Sequence, residues 1–350
     1  MKTLSAMKPA TTCSPDRSPF PGVTESGSDV IRVRLMMEAA PEGMPLFTPG
    51  GSLRWGRCQF DFNPAHHEAA DFAVVLYNAR TCDRFPCAPQ NTLFISGEPP
   101  AKKTYPQAYY RQFHRIVDTH SQSGHPRVVE TALGLPWLAG LDLNAGKFQY
   151  GYDYLTEMRR PEKSNRISVV CSNAAHTEGQ RRRLAFLGAL KERLGGRLVH
   201  YGRGFEPIRD KLDAIGPHRL HLVLENSESP HYWTEKLADA YLGWSLPFYA
   251  GCPNVGDYFD ADSFVRLDMN DADEAARLIC ERLDSPVADA EIEAVSKARW
   301  KILNTYNPFA WTARWVEEFY QAAPMRDITL RSHKAFRPFP RGWLFRRFRR

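Results

Sequence analysis

Short apolar runs bounded by polar and turn-forming residues recur along the first half of the chain. Four of them have the length of strands buried within a sheet, at residues 31–36, 72–77, 92–96 and, more weakly, 115–117. Two further segments, 105–113 and 126–133, could form short helices. The first half therefore predicts a domain built around a sheet.

The second half alternates strand-like and helix-like patterns after a charged, loop-like segment at residues 158–165. The predicted strands are 166–171, 197–201, 220–224, 246–249 and 264–267, and the predicted helices are 178–194, 207–214, 234–242, 272–283 and 289–302. Alternating strands and helices form right-handed βαβ units around a parallel sheet. Together with the first half, this pattern predicts an α/β fold of two facing Rossmann-like domains with the active site in the cleft, the architecture called GT-B.

Length and composition divide the chain further. Its 350 residues exceed the size of one hydrophobic core, and 43% hydrophobic and 12% aromatic residues are typical of a folded globular protein. We predict five segments: a disordered stretch rich in Ser, Thr and Pro at 1–29, Rossmann-like domains at 30–160 and 161–305, a C-terminal helix at 306–325, and a basic aromatic tail at 326–350.

Hydropathy, cysteine usage and charge narrow the protein class. No apolar run approaches the ~20 residues of a membrane span, and the N-terminus lacks the apolar core of a signal peptide. The seven cysteines are scattered and odd in number, which favours reduced thiols in the cytoplasm. The net charge of +6 is concentrated at residues 331–350, where eight Lys or Arg occur without an acid, so the rest of the chain is close to neutral.

A dense polar stretch, ENSESPHYWTEK at residues 225–236, joins the predicted strand 220–224 to the predicted helix 234–242. In open parallel sheets, ligands bind beyond the carboxyl ends of the strands, which is where this stretch lies. The chain contains neither a G-x-G-x-x-G fingerprint nor a P-loop motif, so a dinucleotide site and a P-loop site are not supported.

The residue types of this stretch suit a sugar nucleotide. Thr234 is placed to cap the helix, and the helix N-terminus with Lys236 favours a phosphate. Glu235 could accept hydrogen bonds from sugar hydroxyls, and Tyr232 and Trp233 could stack on a base or a sugar. The alternative from spacing alone is a capped helix with a solvated Glu and Lys.

Residues 225–259 also resemble the signature of the α1,3/4-fucosyltransferases, glycosyltransferase family 10, in its bacterial form. The matching positions are Glu225-Asn226-Ser227, Tyr232, Thr234-Glu235-Lys236, Pro247, Tyr249 and Gly251. The resemblance covers about 165–305 well, through Val169 to Asn173 and Tyr201-Gly202-Arg203. It is weak in the first half, chiefly at Ser96 to Pro100, and absent at 1–29 and 325–350.

The resemblance implies an inverting transfer of L-fucose from GDP-fucose to a hydroxyl of a glycan acceptor. Inversion by single displacement requires a general base on one face of the sugar and stabilisation of the leaving group on the other. The family's base motif matches Ser96-Gly97-Glu98, so Glu98 is predicted to be the catalytic base. Gly97 permits a tight turn, and Pro99 and Pro100 stiffen the exit. The alternative is an exposed loop glutamate.

The resemblance also assigns the donor side, the domain predicted at 161–305. Lys236 and Arg183 are predicted to stabilise the GDP leaving group, and Arg182 is the alternative one residue away. The other donor-binding residues are Asn226, Tyr232 and Glu235, with Arg203, Glu225 and Thr234 as possible members. Glu225 could equally be structural, and Lys211 is expected at the surface.

No metal cofactor is predicted to be essential, and we expect activity in EDTA. Asp260-Ala261-Asp262 imitates a D-x-D metal motif but is interpreted as a turn before the strand at 264–267. Cys82 and Cys87 lack the two further ligands of a metal site. In the GT-B fold, cations of the protein and a helix N-terminus take the place of a metal at the diphosphate.

Acceptor and localisation are expectations at a coarser level. Family membership suggests α1,3 transfer to N-acetylglucosamine of a lipopolysaccharide or related glycan. Residues 331–350 interleave basic residues with Phe336, Phe339, Trp343, Phe345 and Phe348. That composition suits an anionic membrane surface, so peripheral attachment to the inner face of the cytoplasmic membrane is predicted. The alternative is a disordered, soluble tail.

Two rival functions remain at this point. The same scaffold could use another donor, such as a GDP- or UDP-hexose, because the residues that recognise the base are not identified. A protein that binds nucleic acid is suggested by the pI of about 8.9. It is disfavoured because the basic residues form one terminal block and no nucleic-acid motif is found, so no nucleic-acid partner is predicted.

Overall fold

The computed structural model describes residues 30–38, 42–63, 67–78, 82–98, 103–338 and 341–348. The disorder predicted for 1–29 and the stiffening role of Pro99 and Pro100 lie outside the described residues. Within them, the structure contains two separate parallel sheets, one in each half of the chain.

A seven-stranded sheet forms the centre of the first domain. The elements of this half are β1 (Ile31–Met37), β2 (Arg54–Trp55), β3 (Cys58–Phe62), β4 (Phe72–Leu76), β5 (Cys82–Cys87), β6 (Thr92–Ile95), α1 (Gln107–Tyr110), β7 (Arg115–Asp118), β8 (Val128–Glu130), β9 (Leu141–Asp142), β10 (Lys147–Phe148) and α2 (Tyr152–Glu157). The sheet order is β2-β3-β1-β4-β6-β7-β8, and only β2 runs antiparallel to its neighbour. The strands β1, β4, β6 and β7 agree with the sequence prediction.

Two helix predictions in this half need correction. The helix predicted at 126–133 is wrong, because Val128 and Val129 pair in parallel with Ile116 and Val117 and extend the sheet as β8. The helix predicted at 105–113 is reduced to the single turn of α1, which begins after Pro106. Its flanking aromatic residues instead surround the ring of Phe94.

A five-stranded parallel sheet forms the second domain. Its elements are β11 (Ser164–Val170), α3 (Glu178–Leu194), β12 (Leu198–Tyr201), α4 (Lys211–Ile215), β13 (His218–Leu224), α5 (Glu235–Leu242), β14 (Leu246–Ala250), β15 (Val265–Arg266), α6 (Ala272–Asp284) and α7 (Asp289–Asn304). The sheet order is β12-β11-β13-β14-β15. Every residue of the central strand β13 is buried. The two sheets confirm the predicted α/β fold of GT-B type.

Helix α3 begins and ends at the predicted residues, and its N-terminus has a local cause. The side chain of Thr177 accepts a hydrogen bond from the backbone of Gln180, and Gln180 returns one to Thr177, which forms a capping box. Leu187, Leu190 and Leu194 are buried, and Leu184 is half-buried. Arg183 and Phe186 join the buried face, which places one guanidinium beneath the site described below.

The chain returns to the first domain after α7. Helix α8 (Pro308–Phe319) packs on the first sheet, with the rings of Phe309 and Phe60 5.2 Å apart. Its Glu317 accepts a hydrogen bond from the backbone N–H of Arg57 at 2.7 Å. The segment predicted as a C-terminal helix at 306–325 therefore contains a helix that joins the two domains.

The predicted basic aromatic tail at 326–350 is wrong for its first part. Strand β16 (Arg326–Arg331) pairs antiparallel with β5, a strand that the sequence did not predict. The backbone of Arg331 exchanges two hydrogen bonds with the side chain of Gln112. Phe336 packs 6.1 Å from the ring of Tyr109. These contacts fold the start of the segment onto the first domain.

The rest of the tail is only partly described. Helix α9 (Arg341–Phe348) follows the folded segment, and its Trp343 is 42% exposed. Phe339 lies outside the described residues. In the part of the chain that the structure describes, none of the helices combines the length and the apolar character that crossing a bilayer requires.

The segment between the two sheets is fixed by hydrogen bonds to the second domain. Asp239 accepts from the backbone N–H groups of Leu138 and Ala139 at 2.8 and 2.9 Å. The hydroxyl of Tyr258 accepts from the N–H of Ala132 at 3.1 Å. These contacts hold the domains together beside the ends of β13 and α5.

Candidate active site

The carboxyl ends of β6 and β13 lie within electrostatic reach of each other. Burial is the main cause that raises the pKa of Tyr77, and the charges of Glu235 and Glu98 add to the shift. Burial likewise raises the pKa of Tyr232, with contributions from Glu225 and again Glu98. Glu98 belongs to the first domain and Glu235 to the second, so charged groups predicted for the two halves of the site act on the same tyrosine.

The structure gives Glu225 a structural part in the site. This carboxylate is 2% exposed and accepts a hydrogen bond from the N–H of Thr234 at 2.8 Å. The Thr234 hydroxyl lies 2.9 and 2.8 Å from its two oxygens, and the Lys236 ammonium lies 3.2 Å from Oε2. Glu225 therefore fixes the turn that starts α5, as one of the two sequence interpretations held.

Lys236 is surrounded by negative and polar groups. Its Nζ lies 3.0 Å from Thr234 Oγ1 and 3.3 Å from Glu235 Oε1, in addition to Glu225. Burial alone would lower the pKa of Lys236, but the two carboxylates outweigh it and raise this pKa. The side chain is 22% exposed, so a charged ammonium is available to an anion from solvent.

Glu235 stays ionised for the converse reason. Burial would raise its pKa, but the ammonium groups of Lys236 and Lys211 lower it to about 2. A permanent carboxylate beside a permanent ammonium suits a ligand with both hydroxyl groups and phosphates. The contact of Glu235 with the donor sugar stays a prediction.

Of the three consecutive arginines, Arg183 is the one directed into the site. It is 8% exposed, and its Nη1 donates to the side chain of Asn226 at 2.6 Å. Arg182 instead pairs with Glu228 at 3.0 Å near the surface. Arg181 donates to backbone carbonyls ahead of α3. The structure therefore favours Arg183 over Arg182 for contact with a diphosphate.

Lys211, expected at the surface, is buried, and that expectation was wrong. Its ammonium lies 2.7 Å from Asp239 and 3.8 Å from Glu235. Asp239 in turn holds Leu138 and Ala139 of the linking segment. Lys211 thus connects the donor-side carboxylate to the segment between the domains. Its position in the first turn of α4 was the available signal, because a cation there opposes the helix dipole unless an anion faces it.

Packing explains the residue types at two signature positions that follow α5, Tyr249 and Gly251. A Cβ added at Gly251 would lie 2.5 Å from Cγ of Glu225 and 2.7 Å from the hydroxyl of Tyr249. That hydroxyl accepts from the N–H of Cys252 at 2.8 Å. Gly251 is therefore required for β14 to approach Glu225 closely.

The aromatic pair before α5 divides between the core and the cleft. Trp233 is 2% exposed and packs against Phe259 and Tyr306, with ring centroids 5.2 and 5.1 Å apart. The expectation that Trp233 stacks on a ligand is therefore wrong. Tyr232 is 7% exposed. The charges of Glu225 and Glu98, one from each domain, contribute to its raised pKa, so it lies close to both domains.

In the first domain, the packing of Tyr77 leaves room only for a glycine at position 97. A Cβ at Gly97 would lie 1.9 Å from the Tyr77 ring, and Tyr77 itself has a φ of 61°. The hydroxyl of Ser96 lies 3.4 Å from the carbonyl oxygen of Glu98. This close packing directs the chain so that Glu98 follows at the edge of the cleft.

A buried carboxyl beside this turn was missed by the sequence analysis. Asp118 ends β7, is fully buried, and accepts from the N–H of Thr119 at 2.7 Å. Burial raises its pKa to about 7, against hydrogen bonds from Thr119 and Ser96. His120 Nε2 lies 3.5 Å away, and burial lowers the pKa of that imidazole. An acid directly after an apolar strand was the signal that could have identified it.

The remaining sequence candidates lie apart from this network. Arg203 is exposed at the end of the edge strand β12. Asp260-Ala261-Asp262 forms a 3-10 turn before β15, as interpreted, and Asp260 pairs with Lys301 at 3.1 Å. The described ranges contain no group of three or more His, Cys, Asp or Glu side chains that could hold a metal ion.

Comparison with known proteins identifies relatives of the chain. It is 32% identical over 90 residues to an α-(1,3)-fucosyltransferase of Helicobacter pylori, a match covering 25% of this chain and 19% of that protein. It is 31% identical over 143 residues to the 4-galactosyl-N-acetylglucosaminide 3-α-L-fucosyltransferase 9 of Bos taurus, covering 38% of this chain and 39% of that protein. The resemblance to the α1,3-fucosyltransferase family is confirmed. No protein-family model matches the chain.

The match to these fucosyltransferases is partial in length. The chain spans less than two fifths of the length of either relative named above. Among solved structures, it resembles an α1,3-fucosyltransferase with GDP, at 17% identity and a TM-score of 0.48, over 86% of this chain and 95% of that chain. A second, an α1,3-fucosyltransferase with GDP-fucose, has 16% identity and a TM-score of 0.44, over 82% of this chain and 94% of that chain.

Proposed function

We propose that the protein is an inverting fucosyltransferase that moves L-fucose from GDP-fucose to a hydroxyl of a glycan acceptor. One observation supports this proposal above the others. The charges of Glu98 from the first domain and Glu235 from the second both act on the phenol of Tyr77, and those of Glu98 and Glu225 act on the phenol of Tyr232. Glu235 is itself ion-paired with Lys236. A single displacement needs this separation of base and leaving-group groups.

The proposed reaction proceeds in one step. Glu98 removes the proton of the acceptor hydroxyl while its oxygen attacks the anomeric carbon of fucose. The bond from that carbon to the β-phosphate oxygen breaks, and its electron pair leaves with GDP. Lys236 and Arg183 stabilise the added negative charge, and Asn226 orients Arg183 through the 2.6 Å hydrogen bond. Glu235 accepts hydrogen bonds from donor hydroxyls, and Tyr232 borders the nucleotide.

The acceptor is proposed at the level of a glycan class. We propose α1,3 transfer to N-acetylglucosamine of a lipopolysaccharide or related glycan. Incubation with GDP-fucose and a panel of N-acetylglucosamine-containing oligosaccharides, followed by linkage analysis, tests the proposal. A new α1,3-fucosyl linkage is expected. Hydrolysis of GDP-fucose without transfer to any glycan of the panel would contradict it.

The alternative of another nucleotide-sugar donor has a direct test of its own. Thermal-shift titrations with GDP, UDP and ADP compare the bases, and stabilisation by GDP at the lowest concentration is expected. A nucleotide that binds only the folded protein stabilises it by RT ln(1 + [L]/Kd), where [L] is the free nucleotide concentration. At equal concentration, the nucleotide with the lower Kd therefore stabilises more. Greater stabilisation by UDP would favour the alternative.

Metal independence is proposed because protein cations occupy the diphosphate side of the site. Lys236 and Arg183 both carry charge there and need no divalent ion to neutralise the leaving group. Transfer rates in EDTA should equal those in Mg²⁺ or Mn²⁺. A loss of activity in EDTA that Mn²⁺ restores would contradict this proposal.

Membrane attachment is proposed for the part of the tail after the folded segment. Trp343 is exposed on α9, and Arg341 lies beside it at the surface. Deleting residues 341–350 is expected to release the protein from anionic vesicles in a co-sedimentation assay. A truncated chain that sediments as completely as the full chain would exclude α9 as the anchor.

A further inference from the structure

A second cleft lies on the first domain at the edge opposite to Glu98. It has a volume of about 770 Å³ and is bordered by the beginnings of β6, β7 and β8 and by β16. Thr92 at the start of β6 lines it, whereas Glu98 follows the end of the same strand. An extended chain from Thr92 to Glu98 would span roughly 20 Å. The cleft is therefore distinct from the proposed active site.

The charged side chains that line this cleft are mainly cationic. Its arginines come from three different segments and are Arg111, Arg127 and Arg326. The single acid of the lining, Asp327, already accepts from the guanidinium of Arg84 at 2.9 Å. Within the described ranges, the guanidinium groups of Arg111 and Arg326 make no hydrogen bond and no ion pair, although both backbones are hydrogen-bonded. Two exposed guanidiniums thus face the cleft with all their donors available.

The cations around the cleft also affect the imidazole of His114. Burial is the main cause that lowers its pKa, and the charges of Arg127, Arg115 and His125 lower it further. Arg127 Nη1 lies 3.4 Å from His114 Nδ1. Accumulated cations that disfavour another positive charge at this point favour a negative one.

We propose that this cleft binds phosphate groups. Planar guanidinium groups match phosphate oxygens with two parallel hydrogen bonds, and several arginines around one cleft suit a group with more than one negative charge. The exposed Thr329 borders the same space. The phosphate comes from a soluble phosphate compound or from a phospholipid headgroup, which share this chemistry. The inference is independent of fucosyl transfer.

The test compares variants of the full chain, so that a change in binding is assigned to this cleft and not to the proposed active site. Pyrophosphate binding is measured by calorimetry at low salt. The Arg111→Ser/Arg326→Ser variant is expected to bind at least tenfold more weakly. Its matched control is Arg54→Ser/Arg159→Ser, which removes the same charge from exposed residues; Arg54 lies in β2, at the other end of the sheet. The control should bind as the unmodified chain does.

A second arm distinguishes the sources of phosphate. Sedimentation with phosphatidylglycerol vesicles is compared for the two variants, with residues 331–350 intact in both. Binding lost in both assays indicates a headgroup site, and binding lost only for pyrophosphate indicates a soluble ligand. Pyrophosphate affinity that is unchanged in Arg111→Ser/Arg326→Ser, or reduced equally in the control, overturns the proposal. Arg127→Ser provides an independent third variant with the same expected loss.

Discussion

The carboxyl ends of β13 and β6 border one cleft, but their acidic groups are stabilised differently. At β13, the carboxylates of Glu225 and Glu235 are neutralised by the ammonium of Lys236 at 3.2 and 3.3 Å. Beside β6, the buried carboxyl of Asp118 has hydrogen-bond donors and a neutral imidazole near it. Burial raises its pKa to about 7 against those hydrogen bonds, whereas the ammonium groups of Lys236 and Lys211 lower the pKa of Glu235 to about 2 despite its burial.

This difference separates a permanently charged donor edge from a protonation-sensitive acceptor edge. A diphosphate leaving group needs fixed cations whose charge does not change with pH. The donor edge therefore keeps its charge as the pH changes, whereas Asp118 beside the other edge titrates near neutral pH.

The largest expected effect follows from removing the proposed base. Glu98→Gln should reduce transfer by roughly 10² to 10⁴-fold, because a general base contributes about that factor. GDP affinity should change less than twofold, since the donor-edge network is untouched. Initial rates and calorimetric GDP binding measure the two quantities. Glu130→Gln, at the end of β8, two strands away from β6, is the matched control and should retain transfer.

A second effect concerns the connection between the donor edge and the linking segment. Lys211→Met leaves Asp239 as an uncompensated buried charge, which should lower the free energy of unfolding by roughly 3 to 5 kcal/mol. Denaturant titration measures the loss. Lys297→Met, which removes one partner of an exposed pair on α7, should leave the free energy of unfolding nearly unchanged. Equal losses in the two variants would remove Lys211 from the buried network.

A third effect separates the two candidate arginines. Arg183→Met should weaken GDP binding by about 1.5 to 3 kcal/mol, because a charge-assisted hydrogen bond is lost. Arg182→Met should have little effect, since its partner Glu228 lies near the surface. Calorimetry with GDP compares them. A larger loss in Arg182→Met would reverse the assignment.

The smallest effect is a pH dependence of stability from the acceptor edge. A folded-state pKa raised to about 7 means that Asp118 supports folding fully below its unfolded value and loses that support as pH rises toward 7. The contribution falls by about 1.4 kcal/mol per pH unit between pH 5 and 6 and less steeply toward pH 7. Asp118→Asn should remove this component. Identical pH profiles for the variant and the unmodified chain would show that Asp118 does not titrate in this range.

Local patterns explain which parts were predictable from the sequence. Helix α3 was predicted with its observed bounds because Thr177, Gln180 and the leucine periodicity all act within the helix. The donor edge was predicted because its groups are close in sequence and carry a specific signature. Strand order within each sheet was not predicted, since it depends on pairings between distant segments.

Long-range partners explain what the sequence did not reveal. Strand β16 pairs with β5 across more than two hundred residues, and its alternating polar sequence gives little sign of that partner. Lys211 is buried because Asp239 of another helix faces it. Trp233 packs into a core formed by Phe259 and Tyr306, so its type alone could not distinguish ligand stacking from packing.

The anomeric configuration of the product tests the central claim most directly. The proposed base on the β6 edge and the proposed leaving-group side on the β13 edge fit a single displacement, which inverts the configuration of the transferred sugar. Nuclear magnetic resonance of the glycan formed from GDP-fucose reads that configuration. Every fucosyl linkage formed is expected to have the configuration opposite to that of the donor. A product with the donor's configuration would contradict it.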